Sequence, residues 1–274
     1  MTPAGGASSA QPQPPASPRL PWLRAGAAAL GIDLAPDQLA AFDRYRDMLL
    51  AANRRTNLTA IIDPAQVEMR HFVDSFTCLL AWPTATDRPI RAIDIGAGAG
   101  FPGLPLKLIR PHIGLTLIDS VGKKTAFLAD LVRRLNLAAT TVLTTRAEDL
   151  AQQPAHREQY DVALARAVAP APVLVEYALS FLRVGGRLIA QKTADKGQGE
   201  LVACQRACLL LGGGPPRLVP VTLPAPAGDT PSQVHYLAAA QQALSDRALL
   251  VVEKQHPTPD RYPRRPGLPT KRPL

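Results

Sequence analysis

Leu39, Phe42, Tyr45 and Leu49 recur three, three and four residues apart, while Asp43, Arg44 and Asp47 fall on other faces. That period predicts an amphipathic helix covering an apolar neighbour, with Pro36 in its first turn. A second helix is expected from Pro64 to Ala81, followed by a polar, proline-containing link. From Arg91 the pattern changes to short apolar runs separated by helical stretches: Ala92–Ile95, Leu115–Ile118, Thr140–Leu143, Val162–Ala165 and Arg187–Ala190. Their starts lie roughly 20–25 residues apart, the pitch of strand–helix units feeding a parallel sheet. One more helix, about Glu200–Leu211, precedes the runs Arg217–Leu223 and Ala248–Val252, which are expected to pair antiparallel at the sheet edge. The predicted fold is α/β: a doubly wound, mostly parallel sheet with an antiparallel edge, and an N-terminal helical cap.

Proline marks the ends. Of 28 prolines, six lie in residues 1–21 and six in residues 257–274. Residues 1–31 therefore read as a disordered Ala/Pro-rich extension, 32–89 as the cap, 90–256 as the sheet domain and 257–274 as a basic, Pro-rich tail. The extension lacks any acid before Asp33, as transit peptides do, but its proline spacing makes a poor amphipathic helix. Ala25–Leu30 is too short for the apolar region of a secretory signal. Hydrophobic residues at 46% exclude a wholly disordered chain, and no apolar run approaches the roughly 20 residues of a membrane span. Cys78, Cys204 and Cys208 cannot form a disulfide framework; Cys204 and Cys208, four apart in a leucine-rich stretch, read as core. A net charge of +9 favours a polyanionic partner such as nucleic acid.

The chemistry concentrates in Asp94-Ile95-Gly96-Ala97-Gly98-Ala99-Gly100-Phe101-Pro102-Gly103, where a strand runs into close-set glycines and then a helix. Such a loop lets a ligand approach the backbone at the carboxyl end of the first strand. A Walker loop is excluded because no G-K-[ST] follows, and a dinucleotide fingerprint is broken by Phe101 at its third glycine. The remaining pattern, G-x-G-x-G after an acid, resembles motif I of class I methyltransferases, which use S-adenosylmethionine. The next predicted strand ends in Asp119, 23 residues after Gly96, where a carboxylate accepts from ribose hydroxyls. Methyltransferases and NAD enzymes share that demand. The third strand leads to Arg146-Ala147-Glu148-Asp149, where methyltransferases recognise adenine.

Asn57–Ala60, Arg70–Ser75, Asp94–Gly103, Leu117–Lys124, Ala165–Ala169 and Thr258–Gly267 together resemble the ribosomal RNA small-subunit methyltransferase G family, over roughly Ile32 to Leu274. The resemblance implies methyl transfer from S-adenosylmethionine to N7 of a guanine in 16S ribosomal RNA. It also implies cofactor contacts from Gly96, Gly98 and Phe101 of the loop, from Ala147 and Glu148, and from Arg166, with Asp119 on the ribose. N7 bears a lone pair and no proton, so no general base is expected, and no metal. Arg166 and Lys192 are expected to hold phosphate, guanine O6 or the cofactor, and His71 to be a structural or RNA-facing histidine. Arg264 and Arg265 belong to a tail expected to contact the RNA backbone from outside the fold. The implied partner is 16S ribosomal RNA or the small-subunit particle, for a cytoplasmic, non-membrane, monomeric enzyme. Rival readings are a methyltransferase for another nucleic acid or a protein, a dinucleotide-dependent oxidoreductase, and an RNA-binding module without catalysis. One departure stands out: Ala190-Gln191-Lys192-Thr193 replaces the Ala-Leu-Lys-Gly usual in relatives.

Overall fold

The run Arg91–Ile95 forms β1, which lies inside a seven-stranded sheet with β2 (Gly114–Asp119), β3 (Thr140–Thr144), β4 (Tyr160–Arg166), β5 (Leu182–Thr193), β6 (Arg217–Pro220) and β7 (Arg247–Glu253). The computed structural model describes residues 20–83, 89–223 and 231–274. Strand order is β3-β2-β1-β4-β5-β7-β6. The first five strands are parallel, while β7 runs antiparallel to both β5 and β6. The expected reversed pair is therefore present, and β6 ends at Pro220, which has no N–H to extend the ladder. This is the class I methyltransferase sheet.

The helices are α1 (Pro21–Ala29), α2 (Pro36–Thr56), α3 (Pro64–Val67), α4 (Asp74–Phe76), α5 (Gly103–Ile109), α6 (Gly122–Arg134), α7 (Ala147–Leu150), α8 (Ala171–Phe181), α9 (Ala194–Leu210), α10 (Pro231–Leu244) and α11 (Leu268–Lys271). Side chains alternate across a strand, so each apolar run serves two cores. Val162, Leu164, Leu249 and Val251 pack with α1, α2 and α10, whereas Ala163, Ala165, Leu250 and Val252 pack with α8 and α9. Cap and sheet thus share one core. Cys78, Cys204 and Cys208 are free and buried.

The structure differs from the sequence reading in four places. Order begins at Leu20, inside the stretch 1–31: Leu20, Leu23 and Ala27 of the first helical segment are buried, and the Leu23 N–H donates to Glu68 Oε2 at 3.1 Å. Residues 1–19 lie outside the described residues, as do 84–88 of the link after Ala81. The expected helix Pro64–Ala81 is subdivided, with a π-helical stretch at Glu68–Val73 and a 3₁₀ stretch at Thr77–Ala81. Helix α10 was not marked by the sequence pattern. Lastly, residues 257–274 are packed onto the domain. Proline prevents a long helix there, but it leaves the carbonyls as acceptors. Arg157 donates to the carbonyls of Thr258 (2.8 Å) and Tyr262 (2.7 Å), and Gln152 to that of Pro263 (2.7 Å). The fully buried Lys254 bridges the Leu179 carbonyl, Thr258 Oγ1 and Glu158.

Among the described residues, no helix is long and apolar enough to cross a membrane, and no group of three or more His, Cys, Asp or Glu could hold a metal ion.

Candidate functional site

The parallel register brings the ends of the strands to one edge. Ile95 lies opposite Ile118 and Ala165, Asp119 opposite Thr144, and Arg166 opposite Gln191. Because β7 is reversed, its first residue, Arg247, reaches the same edge opposite Thr193.

The glycine loop starts at this edge. Its Ala97 N–H donates to the Ile118 carbonyl at 2.9 Å, and Tyr45 Oη of α2 donates to the Ala99 carbonyl at 2.7 Å. Gly100 has φ +102, and a Cβ there would lie 2.6 Å from both Leu104 Cδ1 and Tyr45 Oη. Only glycine fits. Gly98 has φ +58, but a Cβ there would meet only the Gly96 carbonyl, at 3.8 Å, so the chain leaves room over this residue. Below the loop, buried Asp94 accepts the Gly103 N–H at 2.8 Å and so ties strand end to helix start. Burial raises its pKa to about 7 against the opposing pull of that N–H and of Arg166.

Beside the loop lies an open cleft walled by Gly96, Asp119, Ala147, Glu148, Val168 and Tyr177 among others. Asp119 Oδ2 accepts the Gly98 N–H (3.1 Å), Oδ1 accepts the Val121 N–H (2.9 Å), and Lys124 Nζ lies 3.7 Å away. Each carboxylate oxygen retains a further lone pair, so Asp119 is held in place and still able to accept. Four of the anticipated cofactor residues, Gly96, Asp119, Ala147 and Glu148, thus converge on one cleft.

Phe101 and Arg166 are next to each other, in a stack beside the loop. The Phe101 ring lies 5.3 Å from Tyr45 at an interplanar angle of 5°, and 4.5 Å from His71. The Arg166 guanidinium lies 4.7 Å from the centre of the same ring. Arg166 also donates to the Arg70 carbonyl (3.2 Å) and pairs with Asp74 at 3.6 Å, which Arg247 approaches to 3.5 Å from the other side. Among the described residues, neither Asp74 oxygen has a closer hydrogen-bond partner. His71 is mostly buried: Nδ1 faces the Arg70 carbonyl (3.1 Å) and Nε2 faces Thr59 Oγ1 (2.8 Å). A carbonyl needs a donor, so Nδ1 carries the proton and Nε2 accepts. Burial, reinforced by Arg166, lowers the His71 pKa to about 3.

The remaining anticipated residues are placed differently. Lys192 is mostly buried, pairs with Glu200 at 2.5 Å and donates to the Ala169 carbonyl at 3.2 Å, so its charge is neutralised within the fold. Arg264 grips buried Glu176 and is not offered to RNA as a free cation; Arg265 is exposed. In the unusual Gln191-Lys192-Thr193, Gln191 Nε2 donates to the Asp74 carbonyl at 2.6 Å, tying β5 to the cap. Thr193 is extended, at φ −89 and ψ 148, so no glycine is required there. Sequence reasoning missed Tyr45, Tyr177 and Arg247. Tyr45 was visible only as a core position, and Arg247 joins the site only because β7 is reversed.

Residues 38–221 match the family model described as rRNA small subunit methyltransferase G. Among curated relatives, the Ribosomal RNA small subunit methyltransferase G of Roseiflexus castenholzii is 44% identical over 90% of this chain and 97% of its own. The proteins of that name from Chloroflexus aggregans and Deinococcus radiodurans are 44% and 43% identical, over 90% and 92% of this chain and 94% and 91% of their own. The match runs across the glycine loop, Asp119, Glu148 and the arginine stack alike, and the chain belongs to the rRNA small subunit methyltransferase G family.

Proposed function

We propose that this protein transfers the methyl group of S-adenosylmethionine to N7 of a guanine in 16S ribosomal RNA, acting as a cytoplasmic monomer on the RNA or the small-subunit particle. The observation that supports it most directly is the convergence of Gly96, Asp119 and Glu148, from three successive strand ends, on one cleft beside a stack of aromatic rings and arginine. The cleft fits the methyl donor. Its wall carries two acceptor carboxylates, Asp119 and Glu148, and the neighbouring loop is open above Gly98. Asp119 is suited to ribose hydroxyls, and Glu148 and the Ala147 backbone to the purine. When bound, S-adenosylmethionine supplies an electrophilic methyl group.

N7 arrives with its lone pair free, so the protein's work is positioning rather than proton removal. The neutral His71 suits this. It braces Phe101, and with a pKa of about 3 and Nε2 occupied by Thr59 it is not placed to serve as a base. Arg166, fixed between Phe101, Asp74 and the Arg70 carbonyl, presents a rigid cation at the strand edge, suited to guanine O6 or a phosphate. The oxidoreductase alternative has no such support: the third-glycine position is Phe101, locked between Tyr45 and His71.

The test pairs binding with product mapping. S-adenosylhomocysteine should bind the wild-type protein, and Asp119→Ala should weaken that binding by roughly 1.5–3 kcal/mol, the scale of hydrogen bonds to a charged acceptor. Methylation of 16S ribosomal RNA, mapped by mass, should appear at guanine N7, with a single-turnover rate that is flat from pH 6 to 9. Binding unchanged in Asp119→Ala removes this carboxylate from the site. Methylation at another atom overturns the N7 assignment.

A further inference from the structure

The C-terminal segment meets the cleft at the wall made by Glu148. Glu148 Oε1 accepts the Gly267 N–H at 2.9 Å and the Tyr177 hydroxyl at 3.3 Å, and that hydroxyl lies 3.3 Å from Thr270 Oγ1. Three residues before Gly267, Arg264 holds Glu176 through its backbone N–H (2.8 Å), Nε (2.9 and 3.1 Å) and Nη2 (2.6 Å). Glu176 is wholly buried and immediately precedes Tyr177 on α8. The tail is therefore anchored by a charged fork–fork contact, and its next turn presents a backbone N–H to a cleft carboxylate. Neither feature faces outward as an RNA contact would.

We propose that this segment is part of the cofactor site, with Gly267 and Tyr177 as positioning residues that fix Glu148 for purine selection and the Arg264–Glu176 clamp holding them there. The inference rests on the methyl-donor reading above. An ionised carboxylate only accepts hydrogen bonds. With Oε1 occupied by two donors, the group is held against rotation, and Oε2 is the oxygen free to meet a donor in the cleft. A 6-amino purine offers that donor, whereas a 6-oxo purine sets oxygen against oxygen and is rejected. Without Gly267 N–H and Tyr177 Oη, the carboxylate turns more freely and the distinction between the two edges weakens.

Two variants test this without disturbing the clamp: a chain ended after Arg265, which loses Gly267 and Thr270, and Tyr177→Phe, which loses only a hydroxyl. Calorimetry would compare S-adenosylhomocysteine with its 6-oxo counterpart, S-inosylhomocysteine, alongside melting temperature. In each variant the affinity for S-adenosylhomocysteine should fall about 3–10-fold, the worth of one or two positioning hydrogen bonds, and the preference for the amino purine should narrow with it. A merely structural tail would lower the melting temperature and leave the preference intact. That result in both variants overturns the proposal; if the shortened chain does not fold, Tyr177→Phe decides. Wild-type protein that binds neither compound would instead overturn the methyl-donor reading, and this inference with it.

Discussion

Asp94 shows how one buried group ties the site to stability. It is fully buried, one oxygen accepts the Gly103 N–H, and the other has no hydrogen-bond partner among the described residues. With its pKa raised to about 7, the folded protein keeps the proton where the unfolded chain, at the ordinary value of 3.8, has lost it. The resulting stabilisation is full below about pH 3.8 and is lost as pH rises through about 7. Asp94→Asn keeps an acceptor for Gly103 and cannot titrate. Denaturant unfolding should therefore show wild type gaining on the variant by at most about 4 kcal/mol between pH 8 and pH 4. Parallel pH profiles for the two proteins would mean that Asp94 stays ionised in the fold. At this scale the sequence was legible where residue type and position coincide: Asp94, Gly96, Asp119 and Glu148 all stand at strand ends. It was silent on partners distant in the chain, because nothing near Glu148 indicates that Gly267 will bond to it.

At the level of elements, the short apolar runs of β1, β4 and β7 were readable because both faces of these strands are buried. Helices α1 and α10 were not, since small residues make much of their contact. Gly26 of α1 sits so close to Val73 of the π-helical stretch that a Cβ would lie 2.6 Å from its methyl groups, and Ala240 and Ala243 are buried in α10. Close approach between small residues leaves almost no hydrophobic period to detect. Trp22 of α1 nonetheless packs on Tyr236 of α10 with ring centres 4.1 Å apart. A chain beginning at Ile32 should therefore melt about 10 °C lower, from the loss of buried Leu20 and Leu23 at roughly 2 kcal/mol each. A melting temperature within about 2 °C of the full chain would show that α1 contributes little to the fold. The tail teaches the complementary lesson. Its prolines leave room for no helix longer than the four-residue α11, but acceptors without donors are not a reason to stay in solvent when Arg157 and Gln152 supply the donors.

For the molecule as a whole, the order of the strands in the sheet has a consequence for how the chain reaches its fold. β5 and β6 are separated by β7, so the outer edge of β5 has no neighbour until residues 247–253 arrive, more than 50 residues after β5 is made. During synthesis that edge, Arg187–Thr193, presents unpaired N–H and carbonyl groups beside apolar Leu188, Ile189 and Ala190. Such an edge is a template for another chain. A polypeptide ending at Leu244 should accordingly sediment as aggregates and lack a cooperative melt, whereas one extending through Glu253 should remain dispersed. A monomeric, cooperatively melting Leu244 product would mean that β5 protects its own edge. The strand that brings Arg247 to the edge of the candidate site is thus also the stopper of the sheet, and a ribosome that stalls before it releases a sticky fragment.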